Sequence, residues 1–458
     1  MCGMNLPVVV RTQPDAGLSP QSRARLTPLQ WLICAVACLG FAFDTYEITV
    51  FSIVARPSLS SFGLHPGTAE FNRWVGMLLW LPQAAGGLVG LLGGYLTDRV
   101  GRRRVLVWSI VLYGVSAAGT AFATSLSELL FWRCMTIAGA CVEFVAAIAW
   151  LAETFADPGQ RERVLGYTQA FSALGGFLVT GSYFVAITFG ASFPAIHGMH
   201  DAWRYALLFG MLPAIPLMIV RPFLPESPVW RQRRLIGALP RPQVSAVFAP
   251  GLRRVTVVST LLTACSFAIA VGVIQQVPRV VPGTPDVRGL EPHAVERTVA
   301  AVHVFTNLGN VTGRLLFAWL VVHVTRQRRL LRLFILPAMI VTPLFFVVAP
   351  HAPLWLIKAG DFLAGTLMVA QLSFWGNYLP RMYPTHLRGT GESVGTNIGG
   401  RLIGTSAAMA VTTLTGFMPG SAAMQLAYAT ACASLVIYLV AFVAVRWLPE
   451  PSTAALPE

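Results

Sequence analysis

The chain has 458 residues, 55% of them hydrophobic and only 11% charged, with a formal net charge of +14. Soluble domains carry about 25% charged residues, so a mean hydropathy of +0.64 excludes an ordinary soluble protein and sets most of the surface against lipid or other helices. The basic residues alternate with long apolar runs instead of gathering on one face, which excludes nucleic acid as a partner. The seven cysteines lie mostly in apolar runs and show no metal-ligand spacing. No cofactor or metal is expected. A phosphate-binding G-x-x-x-x-G-K-[ST] loop is absent, Lys358 being the sole lysine, and neither H-E-x-x-H nor a nucleophile elbow occurs. Both ATP-driven transport and an enzyme are thereby excluded.

Residues 1–29 are polar and carry Arg11, Arg23 and Arg25. With no short apolar core ahead of a small-residue cleavage site, they are expected to form a cytoplasmic tail and not a signal peptide. A hydrocarbon core about 30 Å thick needs roughly 20 apolar residues per helix. That ruler gives twelve spans, near 30–54, 73–97, 104–124, 128–153, 164–189, 203–222, 254–277, 298–322, 331–349, 353–378, 389–415 and 421–447. The longest polar break, 223–253, separates two sets of six spans, 30–222 and 254–447, and 448–458 form a second tail. With both termini and the central break inside, roughly 23 of the 33 basic residues are cytoplasmic and about six (Arg56, Arg73, Arg204, Arg279, Arg288, Arg297) fall outside, as the positive-inside bias demands.

An ionisable group inside a span costs at least about 2.5–3.5 kcal/mol and marks a functional position. In span one, Asp44 lies about 22 Å from the cytoplasmic end at 1.5 Å per residue. Glu47, three residues on, shares its helix face. Two carboxylates this close in low dielectric do not both ionise, so one is expected to bind a proton near neutral pH; an outer salt bridge is the alternative. Span two ends in a turn with four arginines. Its Gly94, Asp98, Arg99, Gly101, Arg102 and Arg103 fit G-x-x-x-D-R-x-G-R-R, which resembles the loop between the second and third helices of the major facilitator superfamily of secondary transporters.

That resemblance implies an all-α membrane protein with twelve transmembrane helices in two pseudo-symmetric six-helix bundles, and a substrate site between them near the midplane. It also makes Asp44-Thr45-Tyr46-Glu47 similar to the acidic D-G-x-D element of aromatic-acid:proton symporters, with Thr45 replacing the Gly and Glu47 the second Asp. Gly86, Gly90 and Gly94 on span two and Gly391, Gly395 and Gly399 on span eleven are expected to form a sliding contact between the bundles. Asp98 and its arginines would latch the cytoplasmic ends when the carrier faces outward.

Arg133 opens span four in a loose R-x-x-x-G pattern. Glu143, near mid-span, resembles the acid of metabolite:proton symporters. Glu153 ends that span with Arg163 following, and Arg388 follows span ten in the matching place; the echo is what an internal duplication leaves. Leu224-Pro225-Glu226-Ser227-Pro228-Val229-Trp230 is similar to the P-E-S-P-x-W element of sugar porters and organic-acid symporters. Gln275 and Gln276 close span seven. His303, Asn307, Asn310 and Arg314 make one polar face of span eight, expected to line the passage. The loop after span eight, Thr325-Arg326-Gln327-Arg328-Arg329, keeps the bases of the first motif but not its Asp and Gly. Lys358 and Asp361, three apart in span ten, are expected to neutralise one another, although Asp361 is also a candidate substrate contact. Arg401, about 18 Å into span eleven, matches the G-R-x-G element of acid symporters. Its partner would be a substrate carboxylate or Glu143.

The expected function is proton symport of a small organic anion, a carboxylate or aromatic acid, across the cytoplasmic (inner) membrane by a monomeric carrier. Asp44, Glu47 and Glu143 would couple protons; Arg133, Gln275, His303, Asn307, Asn310, Asp361 and Arg401 would meet substrate. Gly94, Asp98, Arg99, Gly101, Arg102, Arg103, Glu153, Arg163 and Arg388 would gate. The alternatives are a sugar or polyol porter, a metabolite or drug exporter, and a sensor that keeps the transporter fold.

Overall fold

A computed structural model describes residues 26–155, 160, 164, 168, 171–236, 244–384 and 387–451. Among the described residues twelve helical rods follow one another: α1 (Pro28–Ser61), α2 (Ala69–Val100), α3 (Arg102–Ala121), α4 (Leu126–Thr154), α5 (Phe171–Ser192) and α6 (Ala202–Phe223), then α7 (Arg253–Gly283), α8 (Pro292–His323), α9 (Gln327–His351), α10 (Leu354–Met382), α11 (388–417) and α12 (Ala422–Trp447). A short linker helix, Pro228–Leu235, stands between the halves. Nine rods are long and apolar enough to cross a membrane on composition alone; the other three, α8, α10 and α11, are those whose interiors hold many polar side chains.

The ends are fixed by local chemistry. Thr27 and Gln30 form a capping box at α1, each side chain bonded to the other's backbone N–H at 3.2 and 2.9 Å. Thr68 caps α2 through the Phe71 N–H, and Ser125 caps α4 through that of Glu128. Gly101 turns the chain between α2 and α3 at φ +114°. A Cβ there would be strained and would meet Glu226 Oε2 at 2.6 Å.

Each half closes on itself at the side that carries the chain ends. Glu226 follows α6 in Leu224-Pro225-Glu226 and accepts the Arg102 and Arg103 N–H groups at 3.0 and 3.2 Å, capping α3. Glu450 follows α12 in Leu448-Pro449-Glu450 and accepts the Gln327 and Arg328 N–H groups at 2.8 and 3.0 Å, capping α9. Trp150 of α4 donates to the Pro225 carbonyl at 3.1 Å, and Tyr378 of α10 donates to that of Pro449 at 2.7 Å. A carboxylate at a helix N-terminus meets both orphan donors and the positive end of the dipole. The same three-residue phrase does this twice.

The glycine stripes serve packing mostly within a half, which corrects the expected sliding contact. A Cβ at Gly86 would strike Ile137 and Cys141 of α4, and one at Gly399 the Thr260 carbonyl of α7. Gly391 packs on Tyr383 and Gly395 on Leu379, also within their own half. Close approaches between the halves fall at other glycines: a Cβ at Gly87 would lie 2.8 Å from the Asn397 carbonyl of α11, one at Gly76 would meet Thr412 and Met409 of α11, and one at Gly176 would meet Asn307 of α8.

Candidate functional site

The interior of the first half holds two buried ion pairs. Arg133 of α4 donates to Glu47 Oε2 at 2.9 Å and to the Glu47 carbonyl at 2.9 Å. Arg221, at the end of α6, donates to Glu143 Oε1 at 2.5 Å. All four side chains are at most 3% exposed. Two glycines make the room: a Cβ at Gly40 would stand 2.6 Å from Glu143 Oε1, and one at Gly210 would collide with Glu47. Glu143 is thus matched by Arg221 and not by Arg401, which corrects that expected pairing. Arg221 escaped notice because Val220-Arg221-Pro222 reads as a span boundary, where arginines are common.

Asp44 is differently placed. It is 6% exposed and neither carboxylate oxygen has a hydrogen-bond partner. The charges acting on it are those of Glu143, Arg221, Arg401 and Glu47. Although Asp44 and Glu47 lie on the same helix, only Glu47 is neutralised.

Arg401 lies in α11, within a widened π-helical stretch, Val394–Ile403. A second such stretch, Ala268–Val273, precedes Gln275 and Gln276 in α7, and the two helices pack together. Such bulges re-aim side chains and often sit at functional positions; nothing in the residue pattern announces them. Arg401 Nη1 donates to Gln83 Oε1 of α2 at 2.9 Å. Among the described residues no carboxylate stands within 4.0 Å of its guanidinium. This guanidinium crosses from one half to the other on a neutral amide.

Other polar contacts join the halves. Asn307 Nδ2 donates to Thr180 Oγ1 of α5 at 3.2 Å, and Gln275 Nε2 to the Ile48 carbonyl at 3.4 Å. Trp80 Nε1 donates to the Leu402 carbonyl at 3.1 Å. Near the side away from the chain ends, Asn72 accepts from Arg279 at 2.5 Å and donates to Thr415 Oγ1 at 3.1 Å. All of these lie between mid-helix and that far side. Toward the chain ends α2 and α11 part company: a Cβ at Gly90 would still touch Asn397, whereas one at Gly94 would meet only Val145 of α4. Gln83 and Asn72, amides with no charge to flag them, were not singled out from the sequence.

The rest of the expected substrate set divides. His303 and Asn310 each keep a buried polar atom without a partner, Nε2 and Oδ1, as does Gln275 through Oε1. Asp361 is wholly buried and accepts from Thr306 Oγ1 at 2.5 Å. The expected pairing of Lys358 with Asp361 is not formed: Lys358 Nζ sits 5.5 Å from the Phe305 ring centroid instead. In the gating set, Arg102 donates to Glu153 Oε1 at 2.8 Å and to the Thr97 carbonyl at 2.9 Å. Ser227 also donates to Glu153, at 2.5 Å. Arg99 bonds and stacks on Tyr95. Arg163 lies outside the described residues, and Asp98 and Arg388 are described by their backbone only.

A family model, the Major Facilitator Superfamily, matches residues 32–408. The chain is 28% identical over 387 residues to the putative niacin/nicotinamide transporter NiaP of Bacillus subtilis, covering 82% of this chain and 88% of that protein. It is 26% identical over 417 residues to a probable 4-methylmuconolactone transporter of Cupriavidus pinatubonensis, covering 91% and 90%. Among solved structures it superposes on a D-xylose-proton symporter with a TM-score of 0.70 at 19% identity, covering 93% of this chain and 99% of that one. A bacterial homologue of the lysosomal transporter Spinster gives a TM-score of 0.66 at 14% identity, covering 93% and 98%. Those structures share the fold described above, and with the family model matching well over half of its length the chain belongs to the major facilitator superfamily of membrane transporters.

Proposed function

We propose that this transporter carries a small organic anion across the cytoplasmic membrane in symport with a proton. The observation that carries the reading is Arg401: a guanidinium at the seam between the halves, held by one amide and, among the described residues, with no carboxylate within 4.0 Å. A buried cation without an anion is strongly disfavoured, and a substrate carboxylate would supply the missing charge with charge-assisted hydrogen bonds. Asp44, the buried acid with both oxygens unpartnered, would take the proton. Carrying it as the neutral acid avoids a third buried carboxylate charge beside Glu47 and Glu143 in low dielectric. His303, Asn307, Asn310 and Gln275 would offer neutral donors and acceptors from the second half. The named substrates of two relatives, niacin and a methylmuconolactone, are small ring compounds that suit such a site.

The Pro-Glu-Ser-Pro element carries no weight toward a sugar, because Glu226 and Ser227 are spent on capping α3 and holding Glu153. We read the side with the chain ends as cytoplasmic, since the arginine tally requires it. Among the described residues the polar contacts between the halves run from mid-helix to the far side, which supports an inward-facing state. The moving bodies are residues 30–222 and 254–447, joined by 223–253, with 1–29 and 448–458 as cytoplasmic tails, and the carrier works as a monomer. The test is uptake of radiolabelled nicotinate, benzoate and xylose into proteoliposomes. Acid uptake that stops when the pH gradient is collapsed is expected; uptake of xylose alone, or acid uptake indifferent to the gradient, would overturn the reading.

A further inference from the structure

Arginines on the side away from the chain ends run against the positive-inside bias, so each calls for a reason. Arg204 has one: its guanidinium closes the end of α3, donating to the Ala121 and Ala123 carbonyls at 2.8 and 2.9 Å. Arg73 and Arg297 are simply exposed. The remaining three, Arg56, Arg279 and Arg288, line one cavity of about 230 Å³ between the halves, and among the described residues no carboxylate lines it.

The cavity is built by both halves. Arg56, Phe71 and Asn72 come from the first; Arg279, Arg288 and Leu426 come from the second. Arg279 is pinned in place, donating to Gln276 Oε1 at 2.7 Å and Asn72 Oδ1 at 2.5 Å and lying 5.6 Å from the Phe71 ring centroid. Among the described residues the side chains of Arg56 and Arg288 have no hydrogen bond and no ion pair. Glu296, at the start of α8, is the acid that acts on Arg56, and it does so from beyond ion-pair distance. Three guanidinium groups therefore surround a small recess with an apolar wall that no described carboxylate lines.

We propose that this recess is a second, outer anion site, taking a small carboxylate from the extracellular medium while the halves are closed on that side. The proposal rests on the orientation and the organic-anion substrate argued above. The guanidinium forks bind the carboxylate, and Phe71 and Leu426 cover its apolar remainder. Because the groups come from opposite halves, the site is whole only when the outer face is shut, so occupancy favours the inward-facing state by its differential affinity. High external substrate then slows the return of the empty carrier and depresses uptake.

The experiment uses detergent-purified full-length protein, with benzoate as the probe at constant ionic strength, and reads the thermal shift. In Arg401→Ala, where the central site is impaired, a benzoate-dependent shift is expected to remain. Adding Arg56→Gln and Arg288→Gln should raise the benzoate concentration for its half-maximum at least fivefold. Arg288→Glu, an exposed position that leaves packing untouched, should act in the same direction. In proteoliposomes, wild-type uptake should fall at high external benzoate, and Arg288→Gln should abolish the fall without lowering uptake at low concentration. A residual shift that ignores the outer arginines, or no shift at all once Arg401 is gone, would overturn the outer site. A wild-type shift that survives Arg401→Ala undiminished and vanishes with the outer pair would instead keep the outer site and discard the central one.

Discussion

In the first half, Glu47 and Glu143 each hold a guanidinium from their own half, at 2.9 and 2.5 Å. In the second half, Arg401 and Asp361 have no ion pair among the described residues; one leans on Gln83 across the seam, the other on Thr306 beside it. The first arrangement balances its own charges without any ligand, although Glu47 Oε1, Glu143 Oε2 and nitrogens of both guanidinium groups keep no hydrogen bond. It ties α1 to α4 and α4 to α6, so that the half moves as one body. The second is left incomplete where the halves meet, and an incomplete polar group is where binding energy can be gained. Charge paired within a half is scaffold; Arg401 in the second half and Asp44 in the first, which are not so paired, are the working surface proposed above.

Several substitutions would break or sharpen that contrast. The largest expected loss of function is in Arg401→Ala. Truncating one member of a buried charged contact costs about 2–5 kcal/mol, so acid uptake should drop by about 30-fold or more while the protein still elutes as a single species on gel filtration. The largest expected loss of stability is in Glu143→Gln, which strands Arg221 and should destabilise by about 3–5 kcal/mol in denaturant titration of the purified carrier. Replacing both partners, Glu143→Gln with Arg221→Gln, should recover most of it. If the double variant is no better than the single, the pair is not mere scaffold and the comparison fails.

Asp44→Asn should change coupling more than stability. Its oxygens bond to nothing, so the amide mimics the protonated acid, and counterflow exchange should persist while gradient-driven accumulation disappears. Accumulation that survives would move the proton site elsewhere. The smallest effects belong to the caps. Glu226→Gln and Glu450→Gln should each cost about 0.5–2 kcal/mol, the range for losing a helix cap. Similar losses, read by thermal denaturation, would confirm that the two ends are equivalent.

Much of this molecule was legible in its residues. The twelve helices and the turn at Gly101 follow from hydropathy and motif, because lipid imposes long apolar runs and tight polar turns. The choice of partner for each buried charge was not legible. Arg221 and Arg401 are both within reach of Glu143 on topology alone, and the decision falls to helix rotation and to the space left by Gly40. The π-helical stretches in α7 and α11 leave no periodic trace over so few residues. The repeated Leu-Pro-Glu at 224–226 and 448–450 could have been found by comparing the halves. It was overlooked because Glu226 drew attention as part of a longer element and Glu450 had no such company.

The spacing of those two caps has a consequence for biosynthesis. Arg102 and Glu226 are 124 residues apart, and Gln327 and Glu450 are 123 apart. At about 5–20 residues per second, the first turn of α3 or α9 waits roughly 6–25 s on the ribosome before its acceptor is even made. Until then that turn must borrow water or lipid headgroups, and each set of six helices becomes a finished object only with its last few residues. Assembly is thereby punctuated twice, once per half, at the same point in the count.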